Sequence, residues 1–147
     1  MKRMKHHGIE YDRIKRWHLF NNEYKMRQDY PIQTDIYGYT IVDNPEERGN
    51  IRLLKSGELT IGHGFWWNGP SGPTYDSKNF MRGSLIHDAL YRLMRVGLLP
   101  LWYRAYADEL LYKLCREDGM SKFRARYVLK GVHEGGLDSA LPGGGDI

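Results

Sequence analysis

The chain has 147 residues, with 22 Lys plus Arg against 18 Asp plus Glu, one cysteine, 19 aromatic residues and 17 glycines. That length suits one unit large enough to bury a core, and the lone Cys115 excludes an internal disulfide. No apolar run approaches the roughly 18–20 residues that a bilayer-crossing helix needs, so a helical membrane protein, a disulfide scaffold and a coiled coil are all excluded.

The formal charge of +4 is uneven: residues 1–30 carry eight basic and four acidic side chains, residues 86–130 nine and five, and residues 131–147 none and three. Two basic regions therefore flank a neutral middle, which reads either as a solvated surface or as a preference for acidic partners such as phosphate or anionic lipid. The basic start, Met1-Lys-Arg-Met-Lys-His-His7, has no apolar stretch behind it and does not read as a secretory signal.

Residues 1–22 show no clean period and read as a basic N-terminal arm or an edge element. Glu23 to Tyr30 alternates as a strand that Pro31 should stop. Tyr37-Gly-Tyr-Thr-Ile-Val42 is rich in aromatic and β-branched residues and predicts another strand. Residues 43–49 form a loop by composition. Ile51–Leu54 and Leu59–Ile61 then flank Lys55-Ser-Gly-Glu58, a hairpin turn with Gly57 free to take a positive φ. From Gly62 to Thr74, four glycines and two prolines preclude a helix, while Phe65, Trp66 and Trp67 should pin the segment by apolar burial. Such a pinned loop either points N–H groups at a ligand or forms a corner between sheet and helices.

The second half is helical. One helix should start near Ser84 as its cap and stop at Gly97, with Ile86, Ala89, Leu90, Leu93 and Met94 as its buried stripe. A second runs from Trp102 to Glu117 and stops at Gly119; a third starts at Ser121, with Phe123 and Tyr127 one turn apart. Residues 134–147 read as a flexible glycine-rich tail. Strands followed by helices predict an α+β fold, a small antiparallel sheet or hairpins packed on about three helices, with the body at residues 23–133.

His87 falls at the rim of the first helix's apolar stripe with Tyr91 one turn on, and Asp88 lies 100° round toward a wetter groove. A rim histidine suits a general base. Asp108 occupies the matching rim of the next helix, and the short Leu98–Leu101 connection makes the two helices antiparallel neighbours, so Asp108 is the candidate to fix the tautomer of His87. The same residues also suit plain structural roles, with Asp88 paired to Arg92 and Asp108 to Arg104. His63 could reach a site; His6-His7 reads as a disordered pair, and His18 and His133 show no partner cluster. Ser71 reads as a turn former rather than a nucleophile, because Pro73 blocks the strand-turn-helix elbow. No HExxH, CxxC or carboxylate cluster points to structural zinc.

Gly64-Phe-Trp-Trp-Asn-Gly-Pro-Ser-Gly-Pro-Thr74, His87-Asp88-x-Leu-Tyr91, Arg104-x-x-Ala-Asp108 and Arg124-Ala-Arg-Tyr127, in that order over residues 35–136, resemble a small domain family of unknown function found in tailed phages and prophages. Asn68 departs from that pattern, which has Asp there. The resemblance implies a virion-associated or assembly and accessory protein, with other phage proteins as partners and the virion or host cytoplasm as its place.

His87-Asp88-x-x-Tyr91 with Asp108 is also similar to the site of phospholipase A2 enzymes. This implies His87 as the base, Asp108 as its orienter with Tyr91 in support, Asp88 as a calcium ligand, and Gly62–Gly72 as the binding loop, with Gly64, Asn68, Gly69, Ser71 and Gly72 lining it. Calcium is then the candidate cofactor, and an anionic lipid or cell-envelope bond the candidate substrate. Nucleic acid is not expected, since no recognised motif appears.

Overall fold

The computed structural model describes residues 1–15, 22–44, 50–69 and 77–144. The chain forms two compact units, Met1–Asn68 and Gly69–Ile147. The class is α+β: two antiparallel four-stranded sheets occupy the first unit and the helices the second.

In the first unit, β1 (Lys2–His6) and β2 (Ile9–Lys15) form a hairpin through His7 and Gly8, both at positive φ (49° and 81°), as a twist-matched two-residue turn requires. β3 (Asn22–Met26) pairs with β2, and β8 (Trp66–Trp67) closes the order β1-β2-β3-β8. Through Lys15, the segment expected as an arm or an edge element is therefore part of a sheet, with β1 at its edge. Its period was hidden because β2 buries Glu10 and Asp12 as well as Ile9 and Tyr11. His6, expected to be loose, is tied by its Nε2 to the Tyr11 hydroxyl at 2.8 Å. Tyr11, Tyr24 and Trp67 pack their rings at centroid distances of 5.3–5.5 Å and are fully buried.

The second sheet runs β4-β7-β6-β5, from β4 (Tyr30–Gln33), β5 (Ile41–Asp43), β6 (Ile51–Leu53) and β7 (Glu58–Ile61). Pro31 does not end a strand; it sits inside β4, an edge, where the missing N–H costs no ladder bond. The strand expected over 37–42 shrinks to Ile41–Asp43, because Gly38 turns the chain at φ +87° and donates its N–H to the Lys55 carbonyl. Gly57 takes φ +88° as its turn demands. Ile51, Leu53, Leu59 and Ile61 are buried completely, the period-2 signature of a sheet with one inner face, and Ile36, between β4 and β5, is buried as fully.

The second unit holds α1 (Lys78–Arg95), a single 3-10 turn at Leu101–Tyr103, α2 (Arg104–Glu117), α3 (Lys122–Gly135) and the short α4 (Leu137–Ala140). α1 starts six residues before Ser84, whose hydroxyl instead bonds back to the Met81 carbonyl at 2.9 Å within the helix. Gly83 breaks the apolar period there for a packing reason. A methyl at Gly83 would lie 2.9 Å from Leu111 Cδ1 and 3.1 Å from Cys115 Sγ on α2.

Both expected stops hold, and by one device. Gly97 and Gly119 are at φ +80° and +98°. Leu98 and Met120 reach back to the Leu93 and Cys115 carbonyls, and Gly97 and Gly119 to those of Met94 and Arg116, the paired bonds of a Schellman end. Ser121 caps α3, accepting from Arg124 N–H at 3.2 Å. Phe80, Leu111, Cys115, Met120, Ala125, Val128 and Val132 form a core cluster, while Phe123 and Tyr127 face outward. The loose tail expected from residue 134 is helical to Ala140, with Arg95 donating to the Ser139 carbonyl at 3.0 Å.

Candidate functional site

α1 presents His87 and, one turn on, Tyr91; α2 presents Asp108 in its second turn. The three meet at one carboxylate oxygen. His87 Nε2 lies 2.7 Å from Asp108 Oδ1, and the Tyr91 hydroxyl donates to the same oxygen at 2.6 Å. A carboxylate only accepts, so Nε2 carries the proton and Nδ1 keeps its lone pair. The His87 and Tyr91 rings lie 4.2 Å apart and tilted by 32°, which fixes the plane of the imidazole.

The other carboxylate oxygen is met from α3, where His133 Nδ1 lies 2.9 Å from Asp108 Oδ2. Arg104 closes the arrangement, donating to the Val132 and His133 carbonyls at 3.1 and 2.5 Å. His133 was expected to stand without partners. It enters because α3 folds back beside α2, a long-range event with no signal at helical spacing; Arg104 carried a signal only as an i−4 neighbour of Asp108.

The helical period placed His87 and Asp108 on rims and Asp88 in a wetter groove. Instead His87 is 3% exposed, Asp108 0% and Asp88 7%. Over Asp108 and Tyr91 the cover comes from later in the chain. His133 of α3 sits on Asp108, and Gly136, between α3 and α4, lies so close to Tyr91 that a methyl there would stand 2.9 Å from its hydroxyl. Burial is the main effect on the imidazole and pushes the His87 pKa below its ordinary value; Asp108 pulls it up, while Arg104 and His133 push it further down. Burial and the Asp108 carboxylate both push the Tyr91 hydroxyl up, so it stays a donor.

His63 belongs to the first unit, where its N–H and Nδ1 lie 2.8 and 3.2 Å from Asp29 Oδ1. That backbone bond is the largest factor holding the Asp29 carboxyl below its usual value. Gly64 takes φ +83° and spends its N–H on the Met26 carbonyl at 2.7 Å, so that group is a turn bond within its own unit. Asn68 is exposed, and Gly69 is buried at φ +72°. Ser71 and Gly72 lie outside the described residues, as do Trp17 and His18.

Asp88 supplies a single carboxylate where calcium takes roughly six to eight oxygens. Among the described residues no group of three or more His, Cys, Asp or Glu could hold a metal ion. No helix among them is long and apolar enough to cross a membrane. No protein-family profile, curated protein or solved structure matches the chain.

Proposed function

We propose that the chain is a His/Asp-dependent hydrolase in which His87 is the general base and Asp108, with Tyr91, its positioning pair. One observation carries this reading: a single buried carboxylate oxygen takes both the His87 Nε2–H and the Tyr91 O–H, at 2.7 and 2.6 Å. That arrangement selects the tautomer in which Nδ1 can accept a proton, and burial keeps the ring neutral.

Nδ1 takes a proton from water as the water oxygen attacks an ester carbonyl. Asp108 stabilises the imidazolium that forms, and the same proton is returned to the departing alkoxide. The substrate class is a lipid ester or a cell-envelope bond. Calcium at Asp88 is part of the phospholipase likeness, and no step here runs through it.

The test is hydrolysis of phospholipid vesicles and of peptidoglycan by the parent chain, His87→Ala and Asp108→Asn. We expect losses of about 10²–10⁴ in rate with the helical circular dichroism retained. Inactivity of the parent, or equal activity in the variants, overturns the reading.

The burial of His87 and Asp108 favours a second reading, in which the network is a structural polar core of a virion-associated or accessory phage protein. That origin rests on the resemblance of the ordered motifs alone. Its check is the presence of the chain at fixed stoichiometry in purified particles.

A further inference from the structure

α3 hides one face and leaves the other bare. Ala125, Val128 and Val132 point into the core. Phe123, Arg126, Tyr127 and Lys130 follow i, i+3, i+4, i+7 spacing on the opposite face, with Lys122 at its edge, and all five are exposed, Phe123 at 86% and Tyr127 at 55%. Among the described residues no ion pair engages Lys122, Arg126 or Lys130. No acidic residue occurs between Asp118 and Glu134, and Glu134, exposed one turn past Lys130, is the one carboxylate that α3 puts on this face. Arg124 is turned away, its guanidinium over the Phe80 ring and bonded to Ser77 Oγ at 2.8 Å.

We infer that this face of α3 docks on an anionic phospholipid surface. Charge complementarity selects an anionic occupant, since three cations without counter-ions project from one side of a helix about 21 Å long. The aromatic residues select a bilayer. Phe123 offers no hydrogen bond to a base or phosphate and gains only by leaving water. Phe and Tyr one turn apart, with Lys and Arg beside them, are the pattern of a helix lying in a membrane interface, its rings below the headgroups and its cations among them. A convex helix face also lacks the groove that holds single-stranded nucleic acid. The inference does not need His87 to be catalytic, because it concerns adsorption and not turnover.

The test is sedimentation of the full chain with vesicles of neutral phosphatidylcholine, alone or with about one lipid in three replaced by anionic phosphatidylglycerol, at two salt concentrations. Binding should favour the anionic vesicles and weaken with salt. Each basic residue near such a surface contributes roughly fivefold, so Arg126→Gln with Lys130→Gln should weaken binding about 25-fold. Phe123→Ser should weaken it at least about tenfold. Trp102→Ser, which removes an exposed ring from the connection before α2, should stay within about twofold of the parent and serves as the control. All of these positions are exposed, so the fold should survive, as circular dichroism will report. The inference is overturned if the chain does not bind, binds both vesicles equally, or binds unchanged in the α3 variants. It is equally overturned if the same variants abolish binding to a DNA oligonucleotide or a dimer in analytical ultracentrifugation while vesicle binding persists.

Discussion

Each unit of this protein buries acidic side chains, and the two satisfy them in opposite ways. In the first sheet, Glu10 and Asp12 are answered by cations. Arg3 pairs with Glu10, while Arg27 reaches Asp12 at 3.0 Å and lies 3.7 Å from Glu10, and both arginines reach solvent. In the helical unit, Asp108 is answered at Oδ1 by the O–H of Tyr91 and the neutral N–H of His87, beyond the reach of water. A carboxylate facing arginine is neutralised and has little left to offer a reaction. A carboxylate facing a neutral imidazole keeps its charge available for the moment the imidazole acquires a proton. The first pattern fastens a sheet; the second is equipped for proton transfer.

Substitutions test that contrast. Asp108→Ala leaves two buried donors without an acceptor and should cost about 3–5 kcal/mol in urea unfolding. Tyr91→Phe removes one bond to a charged acceptor and should cost about 1.5–3 kcal/mol, leaving the His87–Asp108 contact in place. A smaller loss at either position would put the helical network on a par with the sheet's surface pairs.

Acid provides a third test. The folded His87 pKa lies below the ordinary 6.5, so as pH falls through 6.5 the unfolded chain takes a proton that the folded chain refuses. Stability is fully present above that pH and declines below it, by at most about 1.4 kcal/mol per pH unit for this one group. His87→Gln should flatten that part of the profile.

Arg27→Ala should cost about 1–2 kcal/mol, since it takes from the buried Asp12 carboxylate a cation that itself reaches solvent. The smallest effect concerns Cys115. Burial pushes its thiol pKa up to about 12, so disulfide reagents should label it at least about a hundredfold more slowly in the folded protein than in urea.

The sequence made the ends of the helices legible because those ends are local: Gly97, Gly119 and Ser121 act through bonds spanning a few residues. It also made His87, Tyr91 and Asp108 legible as a group, since 3.6-residue spacing and a short connection place them without any knowledge of what lies above. It could not show the burial of Asp108 and Tyr91, because their cover comes from His133 and Gly136, over 20 residues past Asp108. β2 was misread for a related reason. Its buried Glu10 and Asp12 look like surface residues until Arg27, on the chain beyond the next strand, arrives to meet them. The start of α1 was placed at Ser84 because serine caps helices, whereas its hydroxyl bonds back to Met81 from inside the helix, one residue past Gly83, which packs against α2.

That glycine has a mechanical consequence. Gly83 lies four residues, about one turn, before His87 on the same side of α1. The missing methyl sets how near the α1 axis can come to α2, and the reach of the imidazole to Asp108 is measured from that axis. Gly83 thus works as a spacer of zero thickness. Alanine would be a shim driven between Leu111 and Cys115, and the tolerance it would consume is that of a contact only 2.7 Å long, one turn further up the helix.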